Sequence, residues 1–366
     1  MQLTLLGWDE TFSSAFAPYA CSGLTAGRVI LQHNHIYTVA TEAGEVHAQV
    51  SGHLRHETAS ADELPAVGDW VALRLPAGNG TAPIQTVLPR RSKFSRKAAG
   101  RSTREQVVAA NIDTVFLLVG MDNDFSPRRV ERYLAAAWES SAAPVVVLNK
   151  LDLCADAATR VATIGKVALG VPVHAISALC GDGLESVVTY CVPCRTVALL
   201  GSSGVGNSTL INRLLGTDLL PTAAVRKHDS RGCHTTTRRE LIFIISEGGM
   251  PSSGPGGMLI DTPGMRELRL WDTNEGVQLT FDEIEILARG CRFRDCQHQH
   301  EPGCAVRAAV ETGELAPDRL SSLHKLKKEL AWFDRRHDQL AALEEKRRWK
   351  NIHKSAKRFY RDTNRG

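Results

Sequence analysis

The chain has 366 residues, too many for one ordinary domain, so two or three domains are expected. Its 43% hydrophobic and 23% charged residues are typical of a globular protein and exclude a disordered or fibrous one. The longest apolar runs, such as Val145–Leu148, are too short to cross a bilayer, and Met1–Glu10 lacks the features of a secretory signal. We therefore expect a cytoplasmic protein without membrane contact.

Residues 27–88 contain short segments in which apolar and polar residues alternate, as they do in half-buried strands. Turn formers such as Glu42–Gly44 and Pro76–Gly80 separate these segments. Five short strands within about sixty residues predict a small closed β-barrel such as an OB-fold, although an SH3-like barrel fits nearly as well. The predicted strands are Arg28–Leu31, Ile36–Thr41, Val46–Gly52, Asp69–Leu75 and Ile84–Leu88.

Two regions of the chain are strongly basic. We interpret the first, Arg90–Lys97, as a linker whose charges either contact RNA phosphates or are solvated. The second is the C-terminus, where residues 319–366 carry 15 Lys and Arg against 6 Asp and Glu, a local net charge of +9 on a chain of +4. A basic tail on a near-neutral body favours a nucleic-acid partner, with a solvated helix face as the alternative.

From Asn111 onward, apolar strands alternate with helical patterns, which predicts an α/β domain with a mainly parallel sheet. A loop rich in Gly, Pro and Ser, Glu247–Gly257, is expected to be mobile. After Phe281 the strands end, and Asp318–Arg361 is predicted to be helical. The predicted strands are Thr114–Val119, Pro144–Leu148, Val171–Ile176, Thr196–Leu200, Arg239–Ile245 and Met258–Ile260, and the helices include Arg128–Trp138 and Thr209–Leu215.

A glycine-rich loop joins the predicted strand Thr196–Leu200 to the helix that follows it, which is the setting of a phosphate-binding loop. Backbone N–H groups of such a loop point at phosphate oxygens, and the helix N-terminus adds partial positive charge. The usual pattern is G-x-x-x-x-G-K-[ST], but Asn207 stands at the lysine position. A tight strand–helix turn is therefore the alternative. The loop consists of Gly201, Ser202, Ser203, Gly204, Val205, Gly206, Asn207, Ser208 and Thr209, with Ser208 a predicted Mg²⁺ ligand.

An N-K-x-D motif follows the strand Pro144–Leu148 and predicts a guanine site. The Asp152 carboxylate can accept hydrogen bonds from both base N–H groups of guanine, which adenine does not offer. Asn149 is expected to brace the loop, and the stem of Lys150 to cover the ring. The motif is Asn149, Lys150, Leu151 and Asp152, and Ser177 with Ala178, after the next strand, would place a backbone N–H near the guanine oxygen.

A D-x-x-G motif, Asp261–Gly264, follows the strand Met258–Ile260. In such motifs Asp261 would hold a Mg²⁺-bound water, and the N–H of Gly264 would contact the γ-phosphate. One of the upstream threonines Thr235–Thr237, for which we take Thr236, would complete the Mg²⁺ shell. An ordinary strand start is the alternative for this triplet.

The order of these motifs is permuted. In ordinary GTPases the phosphate loop comes first, whereas here Asn149–Asp152 and Ser177–Ala178 precede it. Because every motif follows a strand, a cyclic shift of the chain can assemble the same pocket at one sheet edge. The switch residues Thr235–Thr237 and Asp261–Gly264 then lead directly into the C-terminal part, which nucleotide-dependent ordering can move.

Nine cysteines in a long cytosolic chain do not indicate a disulfide framework. Three of them instead form the pattern C-x4-C-x-H-x5-C with a histidine, and zinc prefers four such ligands in a tetrahedron. His300 competes with His298 as the imidazole, and free cysteines in a loop are the alternative. We interpret Cys191-x2-Cys194 as incidental. The predicted ligands of one structural Zn²⁺ are Cys291, Cys296, His298 and Cys304.

The permuted motifs, the preceding barrel and the cysteine pattern together resemble the bacterial ribosome small-subunit-dependent GTPase A family, also called RsgA or YjeQ, over essentially the whole chain. The segments Arg231–Thr237 and Asp261–Glu267 resemble it too. The resemblance implies an OB-fold barrel that binds RNA, with a basic linker (residues 1–97). It further implies a circularly permuted GTPase domain (98–280) and a zinc-binding helical domain with a basic tail (281–366).

The resemblance also implies an activity: hydrolysis of GTP to GDP, stimulated by the small ribosomal subunit during late maturation. Expected partners are that subunit and its ribosomal RNA, and the chain is expected to be a monomer. Ras-like enzymes place a glutamine after D-x-x-G, but here that position is Met265. The family's switch histidine maps to His234, which would orient the attacking water or, alternatively, only pack against phosphate. His234, Asp261 and Gly264 are thus the predicted catalytic residues.

Asn207 departs from the family, whose phosphate loop carries lysine, and this departure opens an alternative function. The chain would then be an RNA-binding assembly scaffold with impaired nucleotide hydrolysis. A redox or zinc-storage protein is a third interpretation, against which the complete set of nucleotide motifs argues.

Overall fold

The structure is a computed structural model, and it describes residues 2–58, 60–76, 78, 80–97, 105–216, 239–245, 255–261 and 274–332. Within those ranges, no helix is both long and apolar enough to span a bilayer. The described residues form an N-terminal barrel, a central α/β layer and a C-terminal group of helices.

The N-terminal barrel has five strands, as predicted, and its connections are those of an OB-fold. β1 pairs antiparallel with both β2 and β4, which closes the barrel, and β3 runs parallel to β5. A short helix, α2 (Gly52–Glu57), lies between β3 and β4. The SH3-like alternative therefore does not hold. The strands are β1 (Thr25–His33), β2 (Ile36–Thr41), β3 (Gly44–Val50), β4 (Trp70–Leu73) and β5 (Ala82–Val87).

A helix that the sequence patterns did not predict, α1 (Glu10–Ala20), covers one side of the barrel. The side chain of Asp9 accepts hydrogen bonds from the first turn and so caps it. Aromatic contacts hold the helix in place, because the ring of Phe12 lies 5.6 Å from that of Trp70. Trp8, just before the helix, meets Trp70 edge to face at 4.7 Å.

The basic stretch after the barrel is not a linker. Lys93–Lys97 form a strand, β6, which pairs antiparallel with β7 (Glu105–Ala110). Arg90 lies in a salt bridge with the buried Asp69, at 2.7 Å, and Arg91 pairs with Asp9. The prediction failed because the partners of these charges lie far away in sequence, where a local charge pattern cannot reveal them.

Among the described residues, the central layer contains six strands in the order β10-β9-β8-β11-β13-β12. The first five are parallel, and β12 is antiparallel to β13. All six predicted strands are confirmed. The predicted loop Glu247–Gly257 is wrong at its end, because Pro255–Gly257 begin β13. Residues 247–254 of that loop lie outside the described ranges. The strands are β8 (Thr114–Gly120), β9 (Ala143–Asn149), β10 (Val173–Ala175), β11 (Thr196–Gly201), β12 (Arg239–Ile245) and β13 (Pro255–Asp261).

In the described ranges four helices accompany this sheet, and the one with the clearest amphipathic pattern is α3. Pro127 occupies its first turn, where a missing N–H costs nothing, and its apolar face buries Val130 and Leu134. The helices are α3 (Pro127–Glu139), α4 (Ala157–Gly165), α5 (Leu184–Val188) and α6 (Asn207–Leu215).

The barrel and the central layer share one continuous sheet, because β1 pairs with β12 at Leu31↔Glu240 and Gln32↔Arg239. Arg28 of β1 is buried at this junction and donates to the carbonyls of Leu6, Gly68 and Asn111. Burial lowers its pKa to about 10. Removing this side chain would leave the buried carbonyls of Leu6 and Asn111 without this donor, whereas the carbonyl of Gly68 would keep its bond from the Asn111 amide.

The C-terminal part is helical, as predicted, and it packs against α3. Val277 and Phe281 join Ala135 of α3 in one buried cluster. A last helix, α10, extends from 317 to 332, where the described range ends. The remaining helices are α7 (Asn274–Thr280), α8 (Asp282–Ala288) and α9 (Ala305–Thr312).

Candidate nucleotide site and metal centre

The glycine-rich loop leaves the buried strand β11 at Gly201 and ends at Asn207, where α6 begins. Gly204 and Gly206 both have positive φ, +80° and +103°, which L side chains rarely adopt. A Cβ atom on Gly206 would lie 2.3 Å from Nδ2 of Asn149. The glycine is therefore required by conformation and by the close approach of the N-K-x-D motif.

Asn149 ties three of the predicted motifs together. Its Nδ2 donates to the carbonyl of Val205 at 2.8 Å, and its Oδ1 accepts from the backbone N–H of Ala178 at 2.9 Å. The side chain is buried, so these bonds are shielded from water. The motifs at the ends of β9, β10 and β11 thus meet at the carboxyl edge of the sheet, where α/β proteins bind ligands.

Two further contacts hold the N-K-x-D motif in place, one at Asp152 and one at Lys150. Ser177 donates its hydroxyl to Oδ1 of Asp152 at 2.5 Å, which fixes that carboxylate beside the β10 loop. Lys150 adopts a left-handed backbone conformation with φ of 70°, and its Nζ contacts Oδ2 of Asp122 at 2.6 Å. Burial would raise the pKa of Asp122, but the hydrogen bond from Lys150 lowers it overall, so the pair is ionic.

Three residues at this edge were missed by the sequence analysis: Asp122, Asp124 and Arg129. Asp124 accepts from the hydroxyl of Ser202 at 2.6 Å and pairs with Nη1 of Arg129 at 2.5 Å. The same Nη1 lies 3.3 Å from the Ser202 hydroxyl. One signal could have found the two acids, since they follow a buried parallel strand, β8, as the other motifs do.

Asn207, the residue at the lysine position, is 7% exposed. Its Oδ1 is buried and meets no hydrogen-bond partner within the described part of the chain. An unsatisfied buried acceptor costs free energy, so the side chain is poorly suited to a merely structural role. It also brings no positive charge to the phosphate side of the loop.

Only some of the residues of the predicted Mg²⁺ site lie within the described ranges. Asp261 ends β13, one residue after Ile260, whose register partner in the neighbouring β11 is Ala198. Asp261 therefore reaches the same edge as the phosphate loop, and Ser208 lies in the first turn of α6. The predicted residues His234, Thr236 and Gly264 lie outside the described ranges.

The cysteine pattern folds into a compact cluster in which the four predicted ligand atoms lie within 4.8 Å of one another. Sγ of Cys304 lies 3.9 Å from Sγ of Cys291 and 3.4 Å from Nδ1 of His298. Thiolates bound to a tetrahedral zinc stand about 3.8 Å apart, so the donor set and its spacing fit that ion. His300 is not part of the cluster.

A carboxylate organises the loop that carries His298. Glu301 accepts hydrogen bonds from the backbone N–H groups of Gln297, Gln299 and His300 at 2.9–3.0 Å. Together with the hydrogen bond from its own backbone N–H, which has the largest effect, these bonds lower the pKa of Glu301 to about 2. They hold the loop in which His298 adopts φ of 59°, and the imidazole of His298 points into the cluster, with Nδ1 3.4 Å from Sγ of Cys304.

Comparison with known proteins supports the same organisation. The model of the RsgA GTPase family matches residues 87–271. A small ribosomal subunit biogenesis GTPase RsgA of Opitutus terrae is 49% identical over 363 residues, 96% of each chain.

Two solved structures share the fold. The crystal structure of YjeQ from Thermotoga maritima superposes with a TM-score of 0.63 at 28% identity, covering 84% of this chain and 99% of that one. The structure of YloQ, a circularly permuted GTPase, has a TM-score of 0.60 at 22% identity, over 84% and 95% of the two chains. The chain described here belongs to the RsgA GTPase family.

Proposed function

We propose that this GTPase acts in the late maturation of the small ribosomal subunit, and that the subunit stimulates its hydrolysis of GTP. The convergence of Asn149, Asp152 and the phosphate loop on one sheet edge carries the nucleotide part of the proposal. The ribosomal part is supported by relatives that are named small ribosomal subunit biogenesis GTPases.

In this proposal Asp152 selects guanine, and the loop from Gly201 to Thr209 cradles the phosphates. Asp261, Gly264 and His234 act at the γ-phosphate, with His234 orienting the attacking water or accepting its proton. Mg²⁺ would be held by Ser208 and Thr236, and would neutralise charge between the β- and γ-phosphates.

One structural Zn²⁺ would be held by the three cysteines and His298 of the cluster. The four ligands leave no open position, so the ion would stabilise the C-terminal helices and not perform chemistry. Metal binding would then be coupled to folding of this part of the chain.

Contact with ribosomal RNA would be electrostatic in part, but two predicted surface charges do not contribute. Arg90 is held against Asp69, and Arg319 is 5% exposed and paired with Glu131. The barrel and the remaining basic residues of 325–366 are the surface that we propose, in a monomer that works in the cytoplasm, where bacterial subunits mature. Counterion release makes such binding weaken steeply with salt.

The test is GTP hydrolysis measured with and without small subunits, with large subunits as the control. We expect stimulation by small subunits only, and binding to them that falls as salt rises. Salt-dependent binding without any stimulated hydrolysis would instead support the assembly scaffold. Equal binding to large subunits, or no dependence on salt, would contradict the proposed partner.

A further inference from the structure

The phosphate loop lacks the cation that its family places in it. A lysine at this position contacts the β- and γ-phosphates and offsets their charge in the transition state. Asn207 can donate hydrogen bonds from its amide NH2 group, but that amide is neutral and the side chain is two atoms shorter than lysine's. Any positive charge on the protein side of the phosphates must therefore come from another residue.

In the described part of the chain, four cations form hydrogen bonds to the nucleotide motifs or to the acids beside them, and three of these cations do so on the base side. Lys150 belongs to the N-K-x-D motif and pairs with Asp122. Arg160 donates to the carbonyl of Asp122 and covers the ring of Phe125. Arg213 donates to the carbonyls of the loop after Ser177, at Ala178 and Leu179.

The fourth cation, Arg129, contacts the phosphate loop itself. Its Nη1 lies 3.3 Å from the hydroxyl of Ser202, the second residue of that loop. We propose that Arg129 supplies part of the positive charge that the phosphate loop lacks at Asn207, and that it does so by binding the phosphates of the nucleotide. This inference rests on the proposed GTP hydrolysis and adds a phosphate-binding residue to it.

The guanidinium has the capacity for this role. Its hydrogen bonds to described residues all use Nη1, so Nε and Nη2 remain for acceptors on a phosphate. Its side chain is 31% exposed, which leaves a path to a ligand in the site. Asp124 holds the group against Ser202 and raises its pKa, so it stays charged at any pH at which the protein works.

The position of Arg129 in the fold also favours this role. It lies in the first turn of α3, whose N-terminus and the end of β8 both face the sheet edge where the motifs meet. Phosphates bound in the loop would meet the partial positive charge of the α6 N-terminus, and Arg129 reaches the same loop through the hydroxyl of Ser202.

A double-mutant cycle tests the proposal. Arg129→Gln is made in the unchanged chain and in the Asn207→Lys variant, and affinity for Mg²⁺–GTP is measured by competition with a fluorescent analogue, followed by single-turnover hydrolysis. We expect about a tenfold loss of affinity in the unchanged chain and less than about threefold in the Asn207→Lys variant, because lysine makes the second cation partly redundant. Arg132→Gln, which removes a charge from the next turn of the same helix, is the matched control and should change neither.

An equal loss of affinity in the two backgrounds would mean that Arg129 only supports the loop. No loss of affinity in either background would mean that Arg129 does not contact phosphate. Both results overturn the proposal. If Arg129→Gln lowers the melting temperature, Arg129→Lys separates charge from packing and should retain most of the affinity. Failure of the unchanged chain to bind Mg²⁺–GTP would instead contradict the proposed function.

Discussion

Arg319 of the last described helix donates to Glu131 of α3 across a distance of 2.7 Å, and each side chain is only 5% exposed. The same guanidinium bonds Glu283 at 2.6 Å and covers the ring of Phe281. α3 also carries Arg129, which contacts the phosphate loop. One helix therefore connects the candidate phosphate site to the C-terminal part of the chain.

This pair yields a prediction about stability. Replacing Arg319 with methionine leaves the Glu131 carboxylate buried without its partner, which typically costs about 3–5 kcal/mol. We expect the urea midpoint of the Arg319→Met variant to fall accordingly. Arg307→Met, which breaks an exposed pair with Glu311, is the control and should cost less than about 1 kcal/mol. Similar costs for the two variants would show that the buried pair has no special role.

Guanine selectivity is predicted to depend on Asp152. An amide in its place cannot accept both N–H donors of guanine, so Asp152→Asn should weaken GTP binding and favour xanthine nucleotides. Competition binding with GTP, XTP and ATP measures this preference. Asp156 is the N-cap of the nearby helix α4 and forms no side-chain capping hydrogen bond, so Asp156→Asn should leave the preference for GTP unaltered. An unchanged preference for GTP in the Asp152 variant would remove the base-binding assignment.

The close contact between Gly206 and Asn149 makes a steric prediction. A methyl group on Gly206 would displace the Asn149 amide from Val205 and Ala178, and we expect nucleotide affinity to fall at least about tenfold. Gly170→Ala provides the comparison, because Gly170 has a similar φ of +71° with open space around it. The Gly170→Ala variant should bind nucleotide with the affinity of the unchanged chain. A tolerant Gly206→Ala variant would contradict the bracing role of Asn149.

The metal centre is predicted to hold about one zinc per chain. Cys304→Ser should lose the ion and lower the melting temperature, because ligand loss uncouples binding from folding. Cys194→Ser, at an exposed cysteine outside the cluster, should retain both. Elemental analysis and thermal melting measure the two effects. Purified protein with no metal and three freely reactive thiols in the cluster would refute the zinc assignment.

The sheet and the nucleotide motifs could be predicted because their signals are local. Buried parallel strands appear as apolar runs such as Val145–Leu148, and parallel strand ends must meet at one edge. Gly206 illustrates the same point, since a tight turn before a helix requires glycine wherever the loop lies. These features depend on neighbouring residues, which a sequence displays directly.

The failed predictions share a different cause. β6 has the composition of a solvated linker, and only its pairing with β7 and the ion pair of Lys93 with Glu105 make it a strand. Arg319 was counted with the basic tail, although its partner Glu131 lies 188 residues away in the chain. Long-range pairs of this kind cannot be predicted from local charge or periodicity. The contact between Arg129 and Ser202 is a third such pair.

We infer that this chain is a GTPase whose turnover is limited by the missing charge at Asn207. This inference is tested most directly by single-turnover hydrolysis of the unchanged chain and the Asn207→Lys variant at saturating GTP with small ribosomal subunits present. A hydrogen bond to a charged group contributes about 1.5–3 kcal/mol, so the variant should be at least about tenfold faster. GDP binding should change less, because the backbone cradle is intact. Equal hydrolysis rates for the two proteins would contradict the account.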